Sequence, residues 1–315
     1  MHFTRISEDA ALLAPDAPAS VVVIGNFDGV HRGHVGVLGD AHAVAAERSL
    51  AVRVLTFDPH PATVMGRVAP ATLTTLTRKS ELLGGAGADG VFVRTFDRAF
   101  SESTPEKFAR ALLAETLAAR VVVVGENFRF GHKRAGDFAT LRALGETLGF
   151  ETLAAGLRGD AGGPFSSTRV RAALAAGDLA EVFAVLGRPH AFSGIVVEGA
   201  KRGRTLGCPT ANVDRIEEAI PPNGVYAVRV DELDAREHAT AIGGGVMNIG
   251  VRPTVDGMGK RSQEVNVFDF DRDLYGARLR VHVVARLRGE QKFSGIDALR
   301  TQIAMDAANA RAALV

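Results

Sequence analysis

Residues Ser20–His34 read SVVVIGNFDGVHRGH, and the fold of the first half of the chain turns on them. Ser20–Ile24 is an unbroken, β-branched-rich run closed by Gly25, which predicts a strand buried on both faces. Gly25 and Gly29 let the backbone turn tightly and approach a ligand with no Cβ in the way. The chain then enters a helix that starts near Arg32 or Gly33 and runs to Ser49. The same alternation continues outward. Ala51–Phe57 (AVRVLTF), Gly90–Val93 and Arg120–Val124 (RVVVV) predict further strands, and Thr77–Leu83 and Pro105–Ala119 predict helices. Thr104 as N-cap, Pro105 at the first helical position and Glu106 behind it mark the start of the last of these. Continuous apolar strands separated by helices predict an α/β unit with a parallel sheet covered on both faces. Such sheets bind ligands at the carboxyl ends of their strands, which selects the loops after Ile24, Phe57 and Val124.

After about Pro189 the pattern changes. Glycine becomes frequent and short strands recur at Ser193–Val197, Gly224–Val230, Ala241–Ile249, Glu264–Phe270 and Arg278–Leu287, with a turn at Pro221–Gly224 (PPNG). This spacing predicts an antiparallel sandwich or barrel. Ile296–Leu314 predicts a terminal helix. Two helical stretches, Thr168–Ala176 and Leu179–Leu186, precede a linker near Leu186–Pro189. The expected domains are therefore residues 1–187 and 188–315.

Composition sets the outer limits. The 315 residues are 46% hydrophobic and 23% charged, near globular averages, and the length suits about two domains of ~150 residues each. The first 187 residues hold 19 basic and 20 acidic side chains, and the remainder 18 and 16. Neither half carries the excess that polyanion binding needs, so nucleic acid and anionic membranes are poor partners and any phosphate site must be local. The single Cys208 excludes an internal disulfide and a multi-cysteine metal centre. Apolar runs such as Val121–Val124 fall far short of the ~20 residues of a membrane span, and no apolar leader opens the chain. A reduced, cytoplasmic protein is expected, with self-association left open.

Within Gly25–His34, His31 and His34 stand three apart and present imidazoles at a helix N-terminus, where free N–H groups and the dipole favour phosphate. The loop is neither a Walker A nor a GxGxxG motif. Two capping histidines, or a zinc pair lacking an obvious third ligand, are the plainer readings. Three further segments add to it: TFDPHP (Thr56–Pro61) at the end of the second strand, GENFRFG (Gly125–Gly131) after the fourth, and SSTRVR (Ser166–Arg171) opening a helix. His132–Arg134 (HKR) reads as a solvated turn. His31, Gly33 and His34 resemble the HxGH signature of nucleotidyltransferases. In this order the segments resemble the FMN adenylyltransferase module of the prokaryotic bifunctional riboflavin kinase/FAD synthetase family, over residues 18–187. The resemblance implies a Rossmann-like nucleotidyltransferase domain in which His31 and His34 hold the ATP triphosphate and stabilise the departing pyrophosphate. It places Gly25, Asn26, Phe27, Asp28, Asn127, Ser167, Thr168 and Arg171 at ATP, and Asp58 and Pro59 at the flavin.

Residues 194–212 read GIVVEGAKRGRTLGCPTAN. Gly199, Gly203 and Gly207 punctuate a loop carrying Lys201, Arg202 and Arg204, able to fold amides and cations over a polyphosphate. Thr210 and Asn212 offer hard oxygen ligands two residues apart, on one face if extended, which suits Mg²⁺. A glycine-rich basic hairpin is the plain alternative. PTAN, however, resembles the riboflavin kinase signature, and the likeness continues through GVYAV (Gly224–Val228), GGVMNIGVRPT (Gly244–Thr254), EVNVFDFDRDLYG (Glu264–Gly276), LRGEQKF (Leu287–Phe293) and QIAMD in the terminal helix. It implies a small antiparallel β-barrel with a C-terminal helix. In it Gly199, Lys201, Gly203 and Gly207 meet ATP, Thr210 and Asn212 bind Mg²⁺ with ATP, and Glu264 takes the proton of the ribityl hydroxyl. Cys208 stands where phenylalanine is usual and Asn266 where histidine is frequent. Gly257–Ser262 (GMGKRS) lacks P-loop spacing and reads as a loop tip.

The expected activity is thus twofold: riboflavin to FMN with ATP and Mg²⁺, then FMN to FAD with release of pyrophosphate. The alternatives are an adenylyltransferase with an impaired kinase half, or a flavin- or nucleotide-sensing module without chemistry.

Overall fold

The computed structural model describes residues 3–6, 18–199, 208–252 and 260–315. Lys201, Arg202, Gly203, Arg204 and Gly207, and with them most of the expected phosphate loop, lie outside the described residues, as do residues 253–259. The chain divides into two compact units: Met1–Pro70 with Leu76–Ser166, and Ala71–Thr75 with Ser167–Val315.

The first unit is built on six parallel strands: β1 (Phe3–Ile6), β2 (Ser20–Ile24), β3 (Ala51–Asp58), β4 (Gly90–Thr95), β5 (Ala119–Gly125) and β6 (Glu151–Ala155), in the order β1-β4-β3-β2-β5-β6. Every residue of β2 is buried. Val21 and Val23 point to one face, packing with Leu38, Ala41 and Ala45 of α1 (Arg32–Arg48) and Leu83 of α2 (Leu76–Gly85). Val22 and Ile24 point to the other, against Phe108, Leu112, Leu113 and Leu141. The period-2 alternation thus feeds two cores, each buried valine or leucine contributing about 1.5–3 kcal/mol over exposure. The chain runs from β2 outward through β3 and β4, then returns to place β5 on the other flank of β2. The β2 and β5 loops therefore part at a topological switch point, where open sheets hold their ligands.

The four strands and three helices expected here are present. Pro105–Ala119 differs in kind: a turn at Pro105–Lys107, capped by Thr104, continues as a π-helix over Phe108–Thr116, and Ala119 already belongs to β5. The wider turn brings Phe108, Ala109, Leu112 and Leu113 onto the sheet together. β1, β6 and α3 (Phe138–Leu148) were not expected. A hairpin of β7 (Gly159–Asp160) and β8 (Gly163–Pro164) completes the unit.

The second unit opens with α4 (Ser167–Ala176) and α5 (Leu179–Leu186), the latter ended by Gly187 in the left-handed region at φ 73°. β9 (His190–Val197), β10 (Ala211–Asp214), β11 (Gly224–Leu233), β12 (Ala239–Arg252), β13 (Lys260–Val267) and β14 (Arg278–Arg288) close an antiparallel barrel in the order β10-β13-β12-β11-β14-β9. Phe192, Tyr226, Met247, Ile249, Leu279 and Val281 fill it. The strand expected to reach Phe270 stops at Val267, because Asp269 takes φ 53° and turns the chain.

α6 (Ile296–Leu314) packs on β11, β12 and β14. Asp306, in the QIAMD segment, is buried. It accepts from Arg288 Nε at 3.0 Å and Nη2 at 2.7 Å, and from Gln302 Nε2 at 2.9 Å. A forked guanidinium–carboxylate pair of this kind fixes orientation as well as distance. No helix among the described residues is long and apolar enough to cross a membrane.

Candidate active sites

The turn leaving β2 is held open from below. Phe27 and Val30 lie at φ 50° and 40°, and both side chains are buried in the core beneath the loop. Left-handed backbone is strained for a β-branched residue, so burial of these two side chains holds the turn in place. His31 then caps α1: its backbone is extended and its Nδ1 accepts from His34 N at 3.4 Å. In a neutral ring the proton is thereby left on Nε2, a donor for an anion. The two imidazoles stack at 3.6 Å, and Phe27 meets His34 edge-on at 5.0 Å. Gly33 is required by this packing, since a Cβ there would lie 3.0 Å from His31 Nδ1 and 3.3 Å from the Phe165 Cβ. The first turn of α1 carries no acidic residue, which leaves the positive end of the helix dipole uncompensated.

His31, Gly33 and His34 line a cleft of about 220 Å³ with Gly25 and Gly125 from the ends of β2 and β5 and with Arg158. Asn127 is exposed and folds toward Gly125, its Oδ1 lying 3.1 Å from where a Cβ on that glycine would sit. At the end of β3, Thr56 Oγ1 donates to Asn26 O at 3.2 Å, and Arg5 Nη2 donates to Asp58 Oδ2 at 2.7 Å.

In the barrel, Glu264 on β13 lies in register between Asn212 on β10 and Asn248 on β12. Its neighbours Gln263 and Val265 are buried, so the half-buried Glu264 leaves the other, outer face of the strand. Thr210 Oγ1 donates to Glu264 Oε2 at 3.5 Å. A Cβ at Gly199 would strike the Asn212 side chain, which accounts for that glycine. Thr210 and Asn212 also edge a cavity of about 460 Å³ floored by Val196, Val265, Val267 and Leu274. The arrangement offers hydroxyl, amide and carboxylate oxygens beside an apolar pocket.

Residues 13–169 match the family model described as FAD synthetase, and residues 186–314 the one described as riboflavin kinase. A bifunctional riboflavin kinase/FMN adenylyltransferase of Escherichia coli K12 is 41% identical over 92% of this chain and 91% of its own length. The chain belongs to the bifunctional riboflavin kinase/FMN adenylyltransferase family. The relative of the same name from Pseudomonas fluorescens is 41% identical, covering 95% and 94%, and that of Bacillus subtilis 36%, covering 97% and 96%. A Streptococcus pneumoniae crystal structure described as a macrolide-efflux protein superposes with a TM-score of 0.81 at 29% identity, over 94% of this chain and 95% of that one.

In the adenylyltransferase half, Gly25, His31 and His34 come together at one cleft, with Asn127 at its edge. Asn26, Asp28, Asp58 and Pro59 stand at the ends of β2 and β3. Ser167 and Thr168 begin α4 and Arg171 lies one turn on, its Nε donating to Ala71 O at 2.6 Å. These three belong to the second compact unit. In the kinase half, Thr210, Asn212 and Glu264 are adjacent. Cys208 is half-buried, and Asn266 Nδ2 donates to Pro209 O at 2.7 Å, tying β13 to the PTAN segment.

Four contributors were not read from the sequence: Arg158 and Phe165 at the first cleft, Asn248 beside Glu264, and the buried Lys79 on α2. Register alone brings Asn248 to Glu264. The signal for Lys79 was available: it stands four residues before Leu83 on the apolar face of the helix. Among the described residues, no group of three or more His, Cys, Asp or Glu side chains could hold a metal ion, so the zinc-pair reading of His31 and His34 lacks its remaining ligands.

Proposed function

We propose that the two units' polar constellations perform the family's two reactions separately, with Glu264 serving riboflavin phosphorylation and His31 with His34 serving adenylyl transfer. The observation that carries this reading is the pair of disjoint sites: stacked histidines at the α1 N-terminus in one unit, and Thr210, Asn212 and Glu264 side by side in the other.

In adenylyl transfer, a phosphate oxygen of FMN attacks the α-phosphorus of ATP and the bond to pyrophosphate breaks. No protein nucleophile is needed, so positioning and charge stabilisation supply the rate. His31 Nε2, His34 and the positive end of the α1 dipole meet the triphosphate, where negative charge grows on the leaving pyrophosphate. Gly25, Asn26, Phe27 and Asp28 form the turn against the nucleotide, and Asn127 holds it from the β5 side. The resemblance to the family assigns Ser167, Thr168 and Arg171 to the ATP phosphates as well. Asp58 and Pro59 border the flavin.

In phosphorylation, Glu264 accepts the proton of the ribityl 5′-hydroxyl as that oxygen attacks the γ-phosphorus and ADP departs. The resemblance to the family assigns Gly199, Lys201, Gly203 and Gly207 to ATP. The donor set suits Mg²⁺, a hard cation: Thr210 Oγ1 and Asn212 would hold it, and bound with ATP it would neutralise phosphate charge. We place the functional boundary at 187/188, close to where the second family model begins. The near-equal charge of each half supports small-molecule partners over nucleic acid or membrane, and the single Cys208 suits a reduced, cytoplasmic setting.

The test is a chromatographic time course of the purified chain with ATP and Mg²⁺, started from riboflavin or from FMN. Passage of riboflavin through FMN to FAD is expected. FAD from FMN alone would restrict the chain to adenylyl transfer, and binding without turnover in either run would point to a sensing module.

A further inference from the structure

Lys79 lies on the buried face of α2 with Ser80 and Leu83, and only 9% of its surface is exposed. Its neighbour Arg78 is paired with Glu81 at 2.8 Å, whereas Lys79 makes no hydrogen bond or ion pair with any described residue. Two carboxylates act on it through space, Asp28 of the turn after β2 and Asp58 at the end of β3. Burial lowers the Lys79 pKa, while Asp28 and then Asp58 favour its charged form. The stem of Lys79 is therefore buried, while its ammonium is not among the fully buried, unpartnered polar atoms and keeps donors for a ligand. Here the surroundings admit an anion: Arg5 already pairs with Asp58, so two cations balance two carboxylates.

Position decides which anion. Lys79 does not line the cleft beneath His31 and His34, which opens between the ends of β2 and β5. It stands instead by the ends of β2 and β3, between Asp28, assigned above to the nucleotide, and Asp58, assigned above to the flavin. We infer that Lys79 binds the 5′-phosphate of FMN and directs it toward the α-phosphorus of ATP. This rests on the adenylyl-transfer site proposed above. Lys79 approaches the nucleophilic phosphate from the α2 side while the histidines hold the leaving group on the α1 side, and the lysine and the histidines bracket the line of displacement.

The test compares Lys79→Met, Lys79→Arg and His34→Ala, with the KM for ATP in FAD formation as the control for folding of the first unit and riboflavin phosphorylation as the control for the second. For Lys79→Met the KM for FMN is expected to rise at least tenfold, with the KM for ATP within twofold of wild type and phosphorylation unchanged. Lys79→Arg recovers most of that loss. An unchanged FMN KM in Lys79→Met, with FAD formation lost in His34→Ala, overturns the inference and leaves the site intact. A parallel rise in both KM values assigns Lys79 to the scaffold and equally overturns it. FAD formation unaffected in every variant would remove the adenylyl site itself, and the inference with it. Should Lys79→Met fail to fold, the wild-type chain with ¹³C-labelled lysine decides: the Cε–Hε resonance missing in Lys79→Arg must shift with FMN and not with riboflavin. A shift with both, or with neither, contradicts the assignment.

Discussion

The two sites are assembled in opposite ways. In the first unit the proposed site lies beyond the strands, on a turn and a helix N-terminus within ten consecutive residues, Gly25–His34. In the barrel it sits on the strands, where Asn212 and Glu264 are 52 positions apart and meet only through the register of β10 and β13. A helix end presents backbone N–H groups and suits an oxyanion in transit, so the first site needs no base. A strand pair presents side chains at fixed spacing, so the second can set a carboxylate beside a hydroxyl. On the proposed assignment, adenylyl transfer should depend on one turn's geometry and phosphorylation on the barrel's integrity.

The strongest break in this contrast is Glu264→Gln. Loss of a general base lowers FMN formation by about 10²–10⁴-fold, and FAD formation from supplied FMN is expected to stay within twofold of wild type. Next is His34→Ala, expected to lower FAD formation by about 10²–10³-fold with phosphorylation intact, as for removal of one preorganised charge-stabilising donor. Initial rates from the two feeds measure both.

Asp306→Ala tests dependence on the barrel. It leaves the Arg288 guanidinium, 21% exposed, without its carboxylate, and should cost about 3 kcal/mol in urea unfolding of the barrel transition. FMN formation should be lost at a lower temperature than FAD formation. Gly33→Ala sharpens the other half. Its Cβ would press on His31 by a few tenths of an ångström, so the ATP KM should rise several-fold with little change in stability.

The smallest effect concerns acid. Asp137 caps α3, accepting from Thr140 N at 2.9 Å and pairing with Arg129, and these bonds hold its pKa at about 2 against an ordinary value of 3.8. The folded value is depressed, so the stabilisation is full above the unfolded value and fades as pH falls from about 4 to about 2. The melting-temperature gap between wild type and Asp137→Ala should be constant above about pH 5 and close by about pH 2.

The same contrast explains what could be read in advance. β2, its turn and α1 are legible because strand, glycines and cap are contiguous, and local pattern is what a single sequence displays. Edge strand β1 escaped notice because FTRI is four residues with half its side chains exposed, and β6 because it alternates on a sheet edge. β10 was read as a metal-binding segment because PTAN lacks the apolar alternation of a strand; its pairing with β9 and β13 makes it one. Glu264 came only from the resemblance, since a carboxylate on a strand's outer face has no local mark of function. For Lys79 the spacing to Leu83 marks the apolar face of its helix, but its closeness to Asp28 and Asp58 comes only from the tertiary structure.

The most direct test of two independent sites is complementation between Glu264→Gln and His34→Ala, supplied with riboflavin, ATP and Mg²⁺. Each variant alone should fail to make FAD, the first leaving riboflavin and the second accumulating FMN. Mixed in equal amounts, they should convert riboflavin to FAD through free FMN. A mixture that still makes no FAD, although each variant retains its other activity, would contradict the account.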